Sequence, residues 1–220
     1  MLISTTKGFC SVRFLLFANG EINDCSYIKP MILESDFVIA VDGGIKYIDK
    51  LGIKPNLLIG DFDSASSDLL EKYSNIKILE YPSKKDFTDL ELAINFALEH
   101  GATEIILFGA LGGRIDHTLA NIYSMIKPTE KGIKAWICAE NEDIFLVNSE
   151  IELSYKKGTV LSLLPVTTEV LGINTHNLEY TLINATLHIG SSRGLSNVFT
   201  NDEAKIGVVS GILAIVVSKN

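Results

Sequence analysis

The spacing of apolar residues changes partway along this chain, and that change limits its fold more than any other feature. Up to about Lys134, short apolar runs alternate with segments of helical spacing. The strand-like runs are Arg13 to Ala18, Phe37 to Val41, Asn56 to Ile59, Lys77 to Leu79 and Glu104 to Phe108. The clearest helix is predicted over Phe87 to His100, where Phe87, Leu90, Ile94 and Leu98 recur at three- and four-residue spacing and Gly101 is placed to end it. A shorter helix is expected near Ser67 to Lys72. Strands alternating with helices predict a mostly parallel sheet covered by helices.

From Trp136 onward the helical spacing is lost. The runs WICA, DIFLV, TVLSLLPV, ATLHIG, AKIGVV and ILAIVV are short and rich in β-branched residues. Turn formers such as Lys157-Gly158 and Ser210-Gly211 separate them, the second resembling a hairpin turn. An antiparallel sandwich or barrel is expected. The expected architecture is therefore an α/β N-terminal domain over residues 1–135, with a mostly parallel sheet covered by helices, followed by an all-β sandwich C-terminal domain over 136–220. The boundary falls within 130–150.

Composition narrows the partners. A formal net charge of −8 argues against general affinity for nucleic acid or anionic membrane. It leaves room for a polyphosphate whose charge is met by a divalent cation on carboxylates. Cys10, Cys25 and Cys138 form no CxxC pair, which argues against a disulfide framework or a zinc site. The N-terminus lacks the apolar core of a signal peptide, and the longest apolar tract, Ile206 to Val217, is too short to span a bilayer. A cytoplasmic setting is expected.

The informative residues lie where the N-terminal strands end, and each of four such turns carries aspartate. Ligands bind beyond the carboxyl ends of strands in open α/β sheets. In VDGG, Gly43 and Gly44 let backbone approach a ligand, while Asp42 either faces that ligand or caps the helix that follows. In GDFDS, Asp61 and Asp63 are two apart and project to one side of extended backbone, with Phe62 packed between them. Such a pair suits Mg²⁺, or forms an Asx-type turn. In KDFTD, Asp86 fits an N-cap with Asp89 three residues on. Lys85 precedes the pair, and Thr88 lies at a helix N-terminus, whose amides attract anions. In GALGGRIDHTLAN, glycines expose the backbone, Arg114 offers a forked phosphate donor and Asp116 adds a carboxylate. His117 there reads as a packed or capping histidine. Four coincident placements, with Lys85 and Arg114, point to a site for a metal-chelated polyphosphate.

Taken in order, DGG, GDFDS, KD-TD and LGGR-DH-LAN, with GSSRGLSN over Gly190 to Asn197, resemble the thiamine pyrophosphokinase family along most of the chain. The resemblance implies an enzyme that transfers the pyrophosphoryl group of ATP to thiamine, with Mg²⁺ as cofactor and a homodimer whose sites lie at the interface. It implies catalytic roles for Asp61, Asp63, Asp89, Arg114 and Asp116, with the metal on Asp61, Asp63 and Asp89. ATP and its phosphates fall to Asp42, Gly43, Gly44, Lys85, Asp86, Thr88 and Arg114, and thiamine to Tyr180, Ser196 and Asn197. Tyr180 stands where the family carries an aromatic that packs beside thiamine. Two other classes suit the same scaffold: a different metal-dependent enzyme, such as a nucleotide hydrolase or a kinase for another small alcohol, and a non-catalytic sensor of thiamine or nucleotide. ATP turnover without thiamine would mark the hydrolase, and the set of mutually repelling aspartates weighs against the sensor.

Overall fold

The structure, a computed structural model, describes residues 12–62, 67–80 and 86–219. Strand β1 (Arg13–Phe17) is its pivot. Leu15 and Phe17 enter the core on one face of the sheet, and Phe14 and Leu16 on the other. A strand buried on both faces must be apolar throughout, as FLLF is. On one side of β1 lie β2 (Phe37–Val41), β3 (Leu57–Gly60) and β4 (Ile78–Glu80); on the other lie β5 (Glu104–Phe108) and β6 (Lys134–Cys138). All of these pairings are parallel.

Helices cover this half as the apolar spacing predicts. Helices α1 (Ile45–Leu51) and α2 (Ser67–Lys72) follow β2 and β3, and α1 packs Ile45, Tyr47, Ile48 and Leu51 onto the Leu15 face. On the Leu16 face, α3 (Asp89–Glu99) buries Leu90, Ala93, Ile94 and Ala97. Helices α4 (Ile115–Ser124) and α5 (Ile126–Glu130) connect β5 to β6. The predicted start of α3 needs correction. Thr88 is the N-cap, its hydroxyl accepting from Glu91 N at 3.2 Å, so Asp86 lies too early to cap and Phe87 stands before the helix with an exposed ring.

The sheet does not stop at β6. Strand β7 (Glu142–Val147) turns back antiparallel to it, and β14 (Leu213–Ser218), β9 (Val160–Pro165) and β12 (Asn197–Val198) extend the same ladder. The result is one ten-stranded sheet, in the order β12-β9-β14-β7-β6-β5-β1-β2-β3-β4. Strands β11 (Ala185–His188), β10 (Glu169–His176), β13 (Glu203–Gly207) and β8 (Glu150–Ser154) form a four-stranded antiparallel sheet. This smaller sheet packs on the face that α1 covers, so one cluster runs from Leu15 and Ile48 to Leu161, Val170, Phe199 and Ile206. The sandwich therefore borrows one of its layers from the α/β sheet, and residues 135 and 136 both lie within β6.

Ser210-Gly211 closes no hairpin. Strand β13 belongs to the small sheet and β14 to the large one, and Gly211, at φ +91°, turns the chain between layers. Among the described residues Cys25 and Cys138 are free and buried, and no helix is long and apolar enough to cross a membrane.

Leu161 is fully buried in the core shared by both layers. Leu161→Ala should lower the unfolding free energy by about 3 kcal/mol. In urea, Trp136 fluorescence and far-UV circular dichroism should report one coincident transition. Two separate transitions would instead mean that the halves fold independently.

Candidate functional site

Because β2 to β4 lie on one side of β1 and β5 on the other, the chain leaves β1 and β5 toward opposite faces of the sheet. That reversal is where open α/β sheets form a ligand crevice. A cleft of about 550 Å³ opens there, lined by Asn19 to Glu21 after β1, Asp42 after β2, Thr88 and Asp89 at the start of α3, and Gly109 to Arg114 after β5. Its floor is fixed by backbone contact. Gly20 N donates to Gly109 O at 2.8 Å, and a Cβ on Gly20 would stand 2.4 Å from that oxygen. Two helices pin the loops from behind. The Tyr47 hydroxyl donates to Gly20 O at 2.5 Å and accepts from Ile22 N at 3.1 Å, and Asn121 Nδ2 donates to Ala110 O at 2.8 Å.

Asp42 is the most constrained carboxylate of the site. It lies at φ +48°, a left-handed conformation unusual for a residue with a side chain, and it makes no side-chain cap to α1. Its Oδ1 is buried with no hydrogen-bond partner among the described residues. Gly60, at φ +144°, leaves the space for that oxygen, since a Cβ there would lie 1.9 Å from it. Burial pushes the Asp42 carboxyl up to about 6. The charge of Asp89, a hydrogen bond with it and the charge of Asp61 act in the same direction, against the backbone of Phe62. Aspartates from the ends of β2 and β3 and the start of α3 thus repel one another around an unsatisfied oxygen. Phe62, at φ +57°, is buried as expected. Asp63 and Lys85 lie outside the described residues, and among the described ones no three acidic, His or Cys side chains are grouped to hold a metal ion. An orphaned anionic oxygen beside two further carboxylates nevertheless fits a hard cation.

Arg114 stands at the rim as the N-cap residue of α4. Its guanidinium grips Asp116, with Nε to Oδ1 at 3.1 Å and Nη2 to Oδ2 at 2.5 Å. Both side chains are exposed, and the pairing holds Asp116 below its usual carboxylate range. Asp86 is exposed next to Phe87, which lines the cleft. The main chain of Gly43 and Gly44 is buried in a 3₁₀ turn behind Asp42.

Tyr180, Ser196 and Asn197 are brought together, but not with the cleft. Asn197 Oδ1 accepts from Tyr180 N, and Asn197 Nδ2 donates to Tyr180 O, both at 2.9 Å. Ser196, exposed at φ +54°, donates its N–H to Ser162 Oγ at 3.2 Å. The register Asn197↔Leu161↔Val217↔Asp143↔Cys138 places the cluster at the same edge of the large sheet as the cleft loops. Seven ladder steps separate β12 from β2, roughly 33 Å at about 4.8 Å each.

Sequence reasoning passed over Asn19, Glu21 and Asn121, and misread His117, which is exposed on the cleft wall. A signal was available for the first two. Asn19-Gly20 is a turn dipeptide directly after a strand, the same arrangement that drew attention to DGG.

Comparison with known proteins gives a consistent result. The family description "Thiamin pyrophosphokinase, catalytic domain" matches residues 28–137, and "Thiamin pyrophosphokinase, vitamin B1 binding domain" matches residues 148–213. The chain is 29% identical over 206 residues to the thiamine pyrophosphokinase of Bacillus subtilis (strain 168), covering 91% of this chain and 96% of that protein. It is 23% identical over 212 residues to thiamin pyrophosphokinase 1 of Caenorhabditis elegans, covering 90% and 86%. The crystal structure of the Bacillus subtilis thiamine pyrophosphokinase superposes with a TM-score of 0.86 at 26% identity, over 96% of this chain and all of that one. Yeast thiamin pyrophosphokinase, with a TM-score of 0.76 at 17% identity over 97% of this chain and 87% of that one, shares the fold.

The contact between Gly60 and Asp42 can be tested without any ligand. Gly60→Ala adds a Cβ where Asp42 Oδ1 stands, at a strained φ, and should cost about 1–3 kcal/mol of stability in urea unfolding. Unchanged stability would mean that the Asp42 carboxylate is free to move aside.

Proposed function

Since this chain belongs to the thiamin pyrophosphokinase family, we propose that it transfers the pyrophosphoryl group of ATP to the hydroxyl of thiamine, giving thiamine diphosphate and AMP. The observation that carries this reading is the unpartnered buried oxygen of Asp42, set among Asp61 and Asp89 at a switch-point cleft. Carboxylates crowded at an anion-binding crevice make chemical sense when a cation joins them to phosphate. In this reading Asp61, Asp63 and Asp89 hold Mg²⁺, which when bound supplies positive charge to the phosphate oxygens.

The chain's own groups do the positioning. In this reading ATP and its phosphates fall to Asp42, Gly43, Gly44, Lys85, Asp86 and Thr88, of which Asp42 and Thr88 line the cleft. Arg114 exchanges one partner for another: Asp116 keeps its planar fork oriented until a phosphate takes the same two donors. The thiamine hydroxyl attacks the β-phosphorus as the bond to AMP breaks, so rate enhancement comes chiefly from alignment and charge neutralisation. Residues 1–135 carry the nucleotide and metal in this reading, and 136–220 carry thiamine at the cluster of Tyr180, Ser196 and Asn197. The free buried cysteines accord with a cytoplasmic setting.

The active form in this reading is a homodimer with shared sites. The distance along the sheet supports it, because roughly 33 Å between Asp42 and the Tyr180 cluster exceeds what one thiamine bridges. Helix α4 supports it too. It buries none of its residues, and Ile115, Leu119 and Tyr123, spaced by four, expose an apolar stripe on the helix that carries His117 and Asn121 of the cleft. A second copy placed there by two-fold symmetry would complete two equivalent sites.

Incubating the purified chain with ATP, Mg²⁺ and thiamine should yield thiamine diphosphate and AMP in equal amounts, with neither formed when thiamine or Mg²⁺ is omitted. ADP or AMP formed without thiamine would replace this reading with a nucleotide hydrolase. Mixing Asp61→Asn chains with Tyr180→Ala chains tests the shared site. Each heterodimer should place both lesions in one site and recover up to about half of wild-type activity. Demonstrated heterodimers that stay as impaired as the parent variants would exclude sites built from both chains.

A further inference from the structure

We propose that Asn197 is a positioning residue that acts on thiamine through Tyr180 and does not itself touch the substrate; the inference rests on the reading above, in which thiamine lies beside Tyr180. Asn197 is 4% exposed, and its amide is already committed. Oδ1 accepts from both Tyr180 N and Val198 N at 2.9 Å, and Nδ2 donates to Tyr180 O at 2.9 Å. An asparagine side chain makes at most about four such bonds, so little capacity is left for a ligand.

The arrangement has a clear backbone logic. Strand β12 is only two residues long, yet the segment before Tyr180 runs beside it, with Glu179 N donating to Val198 O at 2.9 Å and Leu178 bridged to Phe199. At Tyr180 the backbone partner runs out, and the Asn197 amide takes its place. A primary amide offers the same N–H and C=O pair as a peptide group, so it extends the ladder by one residue. The Tyr180 ring is 63% exposed and has little packing of its own to aim it. Its direction is therefore set by the backbone that Asn197 holds. An aromatic aimed in this way suits stacking on a flat, cationic heterocycle.

Steady-state kinetics on the full chain separate the two roles. Asn197→Ala should raise the thiamine KM about tenfold, the size of losing one well-placed buried hydrogen-bonded contact, and leave the ATP KM unchanged. Asn197→Asp keeps acceptors for both N–H groups and loses the donation to Tyr180 O, so it should fall between wild type and Asn197→Ala; it also serves if Asn197→Ala fails to fold. The deciding measurement is the cycle with Tyr180→Ala. If Asn197 works through Tyr180, the double variant binds thiamine no worse than Tyr180→Ala alone. Additive losses would make Asn197 a direct contact and overturn the proposal. Equal rises in both KM values would reduce it to general structural support, and an unchanged thiamine KM would remove its role altogether; either result overturns the proposal. If Tyr180→Ala leaves the thiamine KM unchanged while thiamine diphosphate is still made, thiamine lies elsewhere: the clamp then fails but the activity stands.

Discussion

Strand β6 pairs in parallel with β5 and antiparallel with β7, and the spatial relations of the whole chain depend on that reversal. It converts an α/β sheet, which needs helical crossovers, into an antiparallel one, which needs only turns. The ladder continues without an edge at the junction, so the second half grows outward from the first. One consequence is a single core on the α1 face, reaching from Ile48 to Ile206. Another is a fixed spacing between the carboxylate cleft and the Tyr180 cluster, at the same edge of the sheet but seven strand steps apart. Neither group can approach the other without breaking the ladder, and the proposed homodimer answers that constraint.

At the cleft, repulsion and strain coincide. Asp42 and Phe62 both hold left-handed backbone, which costs of order 1–3 kcal/mol each for residues with side chains. Asp42 also buries an unsatisfied oxygen beside other negative groups. Against a typical domain stability of about 5–15 kcal/mol, these penalties are not small. A structure persists with them when the surroundings over-determine the geometry. Here Gly60, Gly20 and the helix-borne Tyr47 and Asn121 remove the alternatives. Such a preorganised negative pocket is costly when empty, and in the proposed reading a cation and phosphate offset that cost.

Much of this was legible in the residues. The limits of β2 and β5 coincide with the runs Phe37 to Val41 and Glu104 to Phe108, because strands buried on both faces are continuous apolar stretches with abrupt ends. The omissions have physical reasons. Strand β8, EIELS, alternates charge with apolar residues at the edge of the small sheet; β10 is interrupted by Gly172 where its register shifts; β12 is too short to show a pattern. At the candidate site, the aspartates announced themselves as charges at strand ends. Tyr47 and Asn121 did not, since what they do is hold backbone 27 and 11 residues away, and Asn19 did not, since its side chain accepts from Lys46 Nζ 27 residues on.

By itself, the sequence determined the two architectural classes, the order of their strands in the chain and the identity of the acidic turns. Those are local properties: apolar spacing sets which backbone is built, and glycine beside aspartate marks where it opens. Only the tertiary structure decided that one sheet runs through both halves, that Ser210-Gly211 passes between layers instead of closing a hairpin, that Arg114 is engaged by Asp116 and that Asn197 is spent on Tyr180. Each of these depends on which groups meet across space, and hydrogen bonds and burial between distant segments leave no periodicity for the sequence to display.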